Sequence, residues 1–134
     1  MKKFRLSTET SVNITALILR LATIPMISHG WKKLITFSEK VDAFPDPLHV
    51  GHNFSLSLTI FAEFFCSILI VAGLFTRLAT IPLIICMLVI IFIIDQGQPF
   101  LESETAILYC MIYFATLVIG SGKYSLDNAI RKTY

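Results

Sequence analysis

Charged residues are scarce in this chain, and long stretches of it have almost none. Only 15% of the 134 residues are charged and 55% are hydrophobic, and the mean hydropathy is +0.76. A soluble domain shows more charge and shorter apolar runs. The composition therefore excludes an ordinary soluble fold and indicates an integral membrane protein.

Cysteines are few and isolated. Cys66, Cys86 and Cys110 each fall in a different apolar stretch, and no Cys-x-x-Cys pair is present. A disulfide-exchange enzyme needs paired, accessible thiols, so this class is disfavoured. We expect the three thiols to be packing residues.

Motifs for nucleotides, nucleophiles and resident cofactors are also missing. The sequence has no phosphate loop, dinucleotide-binding glycine motif or nucleophile elbow. It has no motif for flavin, haem or iron–sulfur binding, so redox chemistry would need a partner protein. His49 and His52 are three residues apart, but no paired-histidine helix motif or cysteine cluster accompanies them. We therefore expect no metal site.

Four apolar stretches are each long enough to cross a membrane, which needs roughly 17–25 helical residues. We predict helices over about residues 10–30, 55–75, 78–95 and 104–121. The predicted fold class is all-α: an integral membrane four-helix bundle with a structured outer loop between helices 1 and 2. Helices 2 and 3 should form an antiparallel hairpin, because residues 73–77 leave room only for a tight turn, with Thr76 as the helix cap. After helix 4, Ser125 should cap a short helix that has Asp127 in its first turn.

Basic residues favour one orientation of this bundle. One side would hold Lys2, Lys3, Arg5, Arg77, Lys123, Arg131 and Lys132, and the other only Lys32, Lys33 and Lys40. The excess of Lys and Arg on the first side predicts that both termini are cytoplasmic. We interpret the basic rim as facing lipid and expect no nucleic-acid partner.

The longest connection, residues 36–52, joins helices 1 and 2 on the outer side. It contains Phe44, Pro45, Pro47 and Gly51, which indicate a structured segment rather than a flexible linker. Two interpretations stay open: a lid over the outer mouth of the bundle, or a plain connector.

Arg20 and Glu63 are the two charged residues that lie away from the ends of the predicted helices, and their charges are opposite. A charge near the centre of a span costs about 2.5–3.5 kcal/mol, so we expect both side chains to point inward and to pair. Asn13 and Thr23 would line a polar seam with Arg20 that faces Glu63. The pair is either a structural clasp or a site that binds, or exchanges a proton with, an acidic or carbonyl-bearing ligand.

Titratable residues also gather at the predicted outer face. His29 and Lys33 lie one helical turn apart, and Gly30 between them lets another backbone approach closely. The remaining outer-face candidates are His49, His52, Asp95, Glu102 and Glu104.

One six-residue segment occurs twice. Residues 20–25 recur at 77–82 with the same sequence, in two helices that both run outward. Helices 2 and 4 show no matching identity, so duplication and coincidence both stay open. Pro25 and Pro82 should each relax their helix locally and free a carbonyl.

Six short motifs follow one another along the chain. They are Leu19-Arg20-Leu21, His29-Gly30-x-x-Lys33, Phe44-Pro45, Ala62-Glu63, Gly73-Leu74-Phe75-Thr76-Arg77 and Lys123-Tyr124-Ser125-Leu126-Asp127. In this order they resemble the DoxX family over essentially the whole chain. The resemblance implies one membrane domain, residues 1–134, in a bacterial inner membrane, with Arg20, His29, Lys33, Glu63 and Arg77 as its recurrent polar residues. Many relatives have a histidine where this chain has Asp95, which argues against a proton relay there.

The resemblance implies two classes of function. The first is a quinone-linked membrane subunit of an oxidoreductase, in which Arg20, His29 and Glu63 bond to the quinone oxygens and a redox enzyme is the partner. The second is a noncatalytic membrane scaffold or assembly partner. A small transporter comes third, since four helices are few for alternating access unless a homo-oligomer enlarges the cavity.

Overall fold

The computed structural model describes residues 6–97 and 103–134. Over these ranges the chain is helical and has no strand, which confirms the all-α prediction. The described α-helices are α1 (Thr8–Leu21), α2 (Ile24–Ile35), α3 (Phe37–Lys40), α4 (His52–Ile60), α5 (Ser67–Ala72), α6 (Thr76–Val89), α7 (Glu104–Ile119) and α8 (Leu126–Thr133). A 3-10 turn (Val41–Ala43) and two π-helical segments (Phe61–Cys66 and Ile90–Ile94) complete them.

These elements form four long helices. The first is Thr8–Ile35, the second His52–Ala72 and the third Thr76–Ile94, and each is long and apolar enough to cross a membrane. The fourth long helix is α7, which is apolar but has 16 residues, a length of about 24 Å. Three helices compatible with membrane spans are therefore present in the described part of the chain.

The long helices pack around a buried hydrophobic core. Ile70, Leu83 and Tyr113 are completely buried in it. The third long helix packs extensively against α7, and α1 also packs against α7. Since lipid tails are as apolar as these side chains, close packing rather than the hydrophobic effect holds such helices together.

Pro25 interrupts the first long helix. The helix breaks at Ala22 and Thr23, where the amide of Thr23 bonds to the carbonyl of Arg20 three residues earlier, at 3.1 Å. A proline has no amide proton to donate to the preceding turn, which explains the break and confirms the predicted relaxation. Pro82, by contrast, lies inside α6 without interrupting it.

The turn between the second and third long helices is tight, as predicted, but its cap is different. The N-cap residue is Phe75, in the left-handed conformation with φ 49°, so the prediction of Thr76 as cap is wrong. The carboxylate of Asp127, in α8, accepts hydrogen bonds from the backbone amides of Phe75 (3.0 Å) and Thr76 (3.4 Å). A distant carboxylate therefore caps this helix, where an anion is favoured.

The helix α1 and the segment that follows α7 meet at one end of the bundle. The side chain of Asn13 accepts a hydrogen bond from the backbone amide of Lys123 at 2.9 Å. Ala16 packs closely against Gly122. A Cβ added at Gly122 would lie 2.8 Å from the Cβ of Ala16. The hydroxyl of Ser125 accepts from the amide of Asn128 at 3.2 Å, which confirms the predicted start of a short C-terminal helix.

Candidate functional site

Lys33 and Glu63 form an ion pair that joins the first two long helices. The Lys33 Nζ lies 2.5 Å from the Glu63 Oε2, and the side chains are 26% and 3% exposed. The predicted pairing of Glu63 with Arg20 is therefore wrong. The first long helix continues to Ile35, beyond its predicted end, and so brings Lys33 alongside the buried carboxylate.

Gly30 allows the two helices to approach closely enough for this pair to form. A Cβ at Gly30 would lie 2.6 Å from the Phe64 backbone nitrogen and 2.8 Å from the Glu63 carbonyl carbon. No side chain fits that space, which confirms the prediction that Gly30 lets another backbone come near. Trp31 adds an aromatic contact to Phe64, with ring centroids 5.7 Å apart.

Glu63 lies in the π-helical segment Phe61–Cys66 of the second long helix. Such wide turns are rare, and they are frequent at functional sites. Within this segment Ala62, Glu63 and Cys66 are buried, while Phe61 and Phe65 are half exposed. The segment therefore presents one carboxylate to the interior and two aromatic rings to the bundle surface.

Arg20 lies at the opposite end of the bundle from this ion pair. It is 5% exposed, and all of its hydrogen bonds to described residues go to backbone carbonyls. Its acceptors are the carbonyls of Ile70 (3.1 Å), Val71 (2.7 Å), Ser121 (3.3 Å) and Tyr124. These carbonyls lie at or just beyond the ends of the second and fourth long helices, where such groups lack helical partners. Arg20 therefore joins the ends of two helices to the first one.

The predicted central depth of Arg20 is thus wrong, and so is the polar seam facing Glu63. The first long helix has 28 residues, about 42 Å, which exceeds a hydrocarbon core of about 30 Å. Arg20 is near the middle of this helix, but its bonds to carbonyls at the ends of the second and fourth long helices place it at one end of the bundle. Asn13 bonds instead to Lys123, and the Thr23 hydroxyl donates to the Leu19 carbonyl at 3.3 Å.

A cavity of about 560 Å³ opens beside the Lys33–Glu63 pair. Its lining is mostly apolar, and the two charged residues are the ion pair itself. The walls come from the second long helix, the third long helix and the outer loop, through these residues: Phe44, Pro45, Pro47, Leu48, Val50, Ser55, Leu58, Thr59, Phe61, Ala62, Pro82, Ile85, Cys86, Val89, Ile90 and Ile94. An apolar pocket with a few convergent polar groups is the usual form of a small-molecule site.

The outer loop contributes five residues to the lining of this cavity. Asp46 organises the loop: its carboxylate accepts from the backbone amides of Val50 (3.0 Å) and Gly51 (2.8 Å) and from the Ser55 hydroxyl (2.7 Å). The Ser55 hydroxyl, helped by the two amides, holds the pKa of Asp46 below its ordinary value. The Ser55 bond ties the loop to the second long helix.

The other predicted outer-face residues do not line the cavity. His29, His49 and Glu104 are exposed, and His49 has a left-handed backbone conformation with φ 54°. The His52 Nδ1 bonds to the Phe44 carbonyl oxygen at 2.6 Å, and the Asp95 carboxylate accepts a hydrogen bond from the Ser103 hydroxyl at 2.9 Å. Glu102 lies outside the described residues. Within the described ranges, no three His, Cys, Asp or Glu side chains are grouped to hold a metal ion.

Sequence reasoning missed the wall that the third long helix contributes. Ile85, Cys86 and Val89 line the cavity, but an apolar helix gives no sign of which face meets a ligand. Cys86 is only partly buried, whereas Cys66 and Cys110 are buried packing thiols as predicted. The Lys33–Glu63 pairing had a weak signal, since Gly30 marks a close helix contact one turn before Lys33.

A family model for DoxX matches residues 15–96, more than half of the chain. The chain belongs to the DoxX family. It is a DoxX membrane protein, as the sequence motifs predicted. Comparison with curated proteins and with solved structures gives no match. The DoxX match includes Arg20, Lys33 and Glu63, while Asp127, which caps the third long helix, lies outside it.

Proposed function

We propose that this protein is a quinone-binding membrane subunit that works with a redox enzyme in the bacterial inner membrane. The observation that supports this is the apolar cavity with one ion pair on its wall. A quinone has matching parts: a polar ring with two carbonyl oxygens, and an apolar isoprenoid tail. In this proposal α7 is a fourth span, and both termini are cytoplasmic, as the distribution of basic residues favours.

The cavity has the access that a lipid-soluble ligand requires. Leu58, Phe61, Ile85 and Ile94 line it and are 45%, 51%, 54% and 41% exposed. In a membrane these surfaces face acyl chains, so a ligand enters sideways between the second and third long helices. The outer loop closes the cavity on the remaining side.

The ion pair supplies the polar contacts. The partly exposed Lys33 ammonium donates a hydrogen bond to a quinone oxygen, and Glu63 holds this ammonium in place. Reduction of the quinone to the quinol takes two electrons and two protons, so Glu63 takes up protons from the aqueous side and passes them to the quinone oxygens. Arg20 has no part in binding, because its donors are used on backbone carbonyls at the other end. Electrons come from the partner enzyme, since the sequence has no motif for a redox cofactor.

Cys86 provides the first test, because it lines the cavity and is the most accessible of the three thiols. With Cys66 and Cys110 changed to alanine, a short-chain ubiquinone should slow the reaction of Cys86 with N-ethylmaleimide. A tryptophan at Leu58 should fill the cavity and abolish protection. The matched control is Ile68→Trp, an exposed position on the same long helix that does not line the cavity.

Equal Cys86 labelling with and without quinone, in a folded protein whose Cys86 reacts with the maleimide when quinone is absent, would reject quinone binding. A noncatalytic scaffold is then the better function, and the tight contact of Gly30 with Phe64 beside a complete ion pair favours that alternative. Under it, changing Lys33 and Glu63 together to methionine should preserve activity in cells, because buried ion pairs can often be replaced by apolar residues.

A further inference from the structure

A second cavity, of about 830 Å³, lies at the end of the bundle where α1 meets the C-terminal segment. Three regions form it: the start of α6, the loop after α7, and α8, with Glu9 and Asn13 of α1 at its edge. We call it the terminal groove. Four of its lining residues are basic: Arg77, Lys123, Arg131 and Lys132.

The lining of the terminal groove has an excess of positive charge that the acidic side chains of the described residues do not neutralise. Its two acidic residues are Glu9 and Asp127, and the Asp127 carboxylate is already bonded to the backbone amides that start α6. Lys33–Glu63 is the one ion pair among the described residues. The four basic side chains of the groove therefore have no carboxylate partner within those residues. They are therefore available to an anion.

Arg77 is held in a fixed position within this groove. Its Nη2 donates to the Val118 carbonyl at 3.2 Å, and a Cβ at Gly120 would lie 3.1 Å from its Nε. The guanidinium therefore lies against the end of α7, and its remaining donors are free for an anion. A planar guanidinium with several donors matches phosphate well.

The apolar surface beside the groove shows what kind of anion fits. Phe75, Leu78 and Val118 are 62%, 67% and 75% exposed, and in a membrane protein such side chains face acyl chains. In α8, Leu126 and Ile130 are about half exposed (49% and 50%), next to the basic residues of the same helix. This is the pattern of a helix lying in the membrane interface. The groove therefore lies at the depth of lipid headgroups.

We propose that the terminal groove binds the phosphate headgroup of an anionic phospholipid, with its acyl chains on the exposed apolar surface. The proposal is independent of quinone binding, because the groove and the Lys33–Glu63 cavity share no lining residue. A bound headgroup would contact α6, α8 and the loop between α7 and α8 together. It would thereby hold the C-terminal helix, and with it the Asp127 cap, in place.

The test is a binding titration of the full chain in an uncharged detergent with dioctanoyl phosphatidylglycerol, read by native mass spectrometry. Each basic residue near a membrane surface contributes about five-fold in affinity, so Arg131→Gln with Lys132→Gln should weaken binding by about 25-fold. The matched control is Lys32→Gln with Lys40→Gln, two exposed residues at the other end of the bundle. Dioctanoyl phosphatidylcholine should bind much more weakly than phosphatidylglycerol.

Equal binding of the two lipids, or unchanged binding in the Arg131/Lys132 variant, would overturn the proposal. Competition with inorganic phosphate separates the two sources of a phosphate group: displacement of the lipid only at far higher phosphate concentration supports a lipid site, and equal affinity rejects it. If the double variant does not fold, Lys123→Gln is the second test, because this exposed loop residue forms no side-chain hydrogen bond in the structure. It should weaken binding about five-fold.

Discussion

Gly30 and Phe64 are in direct backbone contact: a Cβ at Gly30 would lie 2.6 Å from the Phe64 nitrogen and 2.7 Å from its Cβ. This contact sets the distance between the first and second long helices. It also sets their relative height, and thus places Lys33, one turn further along, beside Glu63. The ion pair therefore requires glycine at position 30, because its side chain is a single hydrogen atom.

Gly30→Ala should destabilise the protein. In a helix this change usually stabilises by up to about 1 kcal/mol, but here the methyl group overpacks the contact, and we expect a net loss of about 1–3 kcal/mol. Urea unfolding in mixed micelles, followed by circular dichroism, measures it. Ser28→Ala, at an exposed position two residues earlier, is the control and should change little. A stabilised Gly30→Ala protein would show that the helices are not in this contact.

The Lys33–Glu63 pair predicts a non-additive double-mutant cycle. Lys33→Met leaves the buried Glu63 carboxylate without its partner and should lower the free energy of unfolding by about 1–3 kcal/mol. Breaking a fully buried ion pair costs about 3–5 kcal/mol. The expected loss is smaller here because Lys33 is 26% exposed. Adding Glu63→Met should restore most of the stability.

Unfolding of the two single variants, the double variant and the exposed Lys32→Met control measures this coupling. If the losses simply add, Lys33 and Glu63 do not interact in the folded protein, and the ion pair is not formed in the membrane.

Arg20→Lys should be a severe change despite the conserved charge. A lysine ammonium has three donors on a flexible stem and cannot reproduce the guanidinium bonds to Ile70, Val71, Ser121 and Tyr124. We expect a loss of about 2–4 kcal/mol in unfolding free energy. Hydrogen bonds from a charged group contribute about 1.5–3 kcal/mol each, and a lysine at position 20 would keep some of them. Trypsin should also cut α8 faster.

The matched control is Arg77→Lys, which removes a guanidinium with one bond, to the Val118 carbonyl. Its stability loss should be under about 1 kcal/mol, since Arg77 is exposed. Equal losses in the two variants would mean that Arg20 does not hold the helix ends together.

The outer loop should loosen at acid pH. The pKa of Asp46 is lowered in the folded protein, first by the Ser55 hydroxyl, so its contribution is present above the unfolded pKa and is lost as the pH falls through the folded one. Ser55→Ala removes the largest cause and should raise the pKa of Asp46 toward its ordinary value of about 3.9. NMR titration of the Val50 and Gly51 amide shifts follows this change.

Ser57→Ala is the control for this titration, since its hydroxyl donates to the Asn53 carbonyl and not to Asp46. If the amide shifts of Val50 and Gly51 titrate identically in wild type and Ser55→Ala, the Ser55 hydroxyl does not stabilise the Asp46 carboxylate.

Several features were determined by the sequence alone because they depend on the local chain. Apolar runs predicted the helices, Gly73 to Arg77 predicted the tight turn, and Ser125 predicted the start of α8. Pro25 predicted a break, since the missing amide proton is a property of the residue itself. Gly30 predicted a close contact, although not the residue that makes it.

Tertiary structure alone decided which charges meet. One residue along a helix corresponds to a rise of about 1.5 Å and a turn of about 100°, so small errors in helix ends change the partner of a side chain. The first long helix continues past its predicted end to Ile35, and this places Lys33 rather than Arg20 beside Glu63. Asp127 caps a helix that starts 51 residues earlier, at Thr76. Such contacts depend on how the helices pack, which no local pattern of residues specifies.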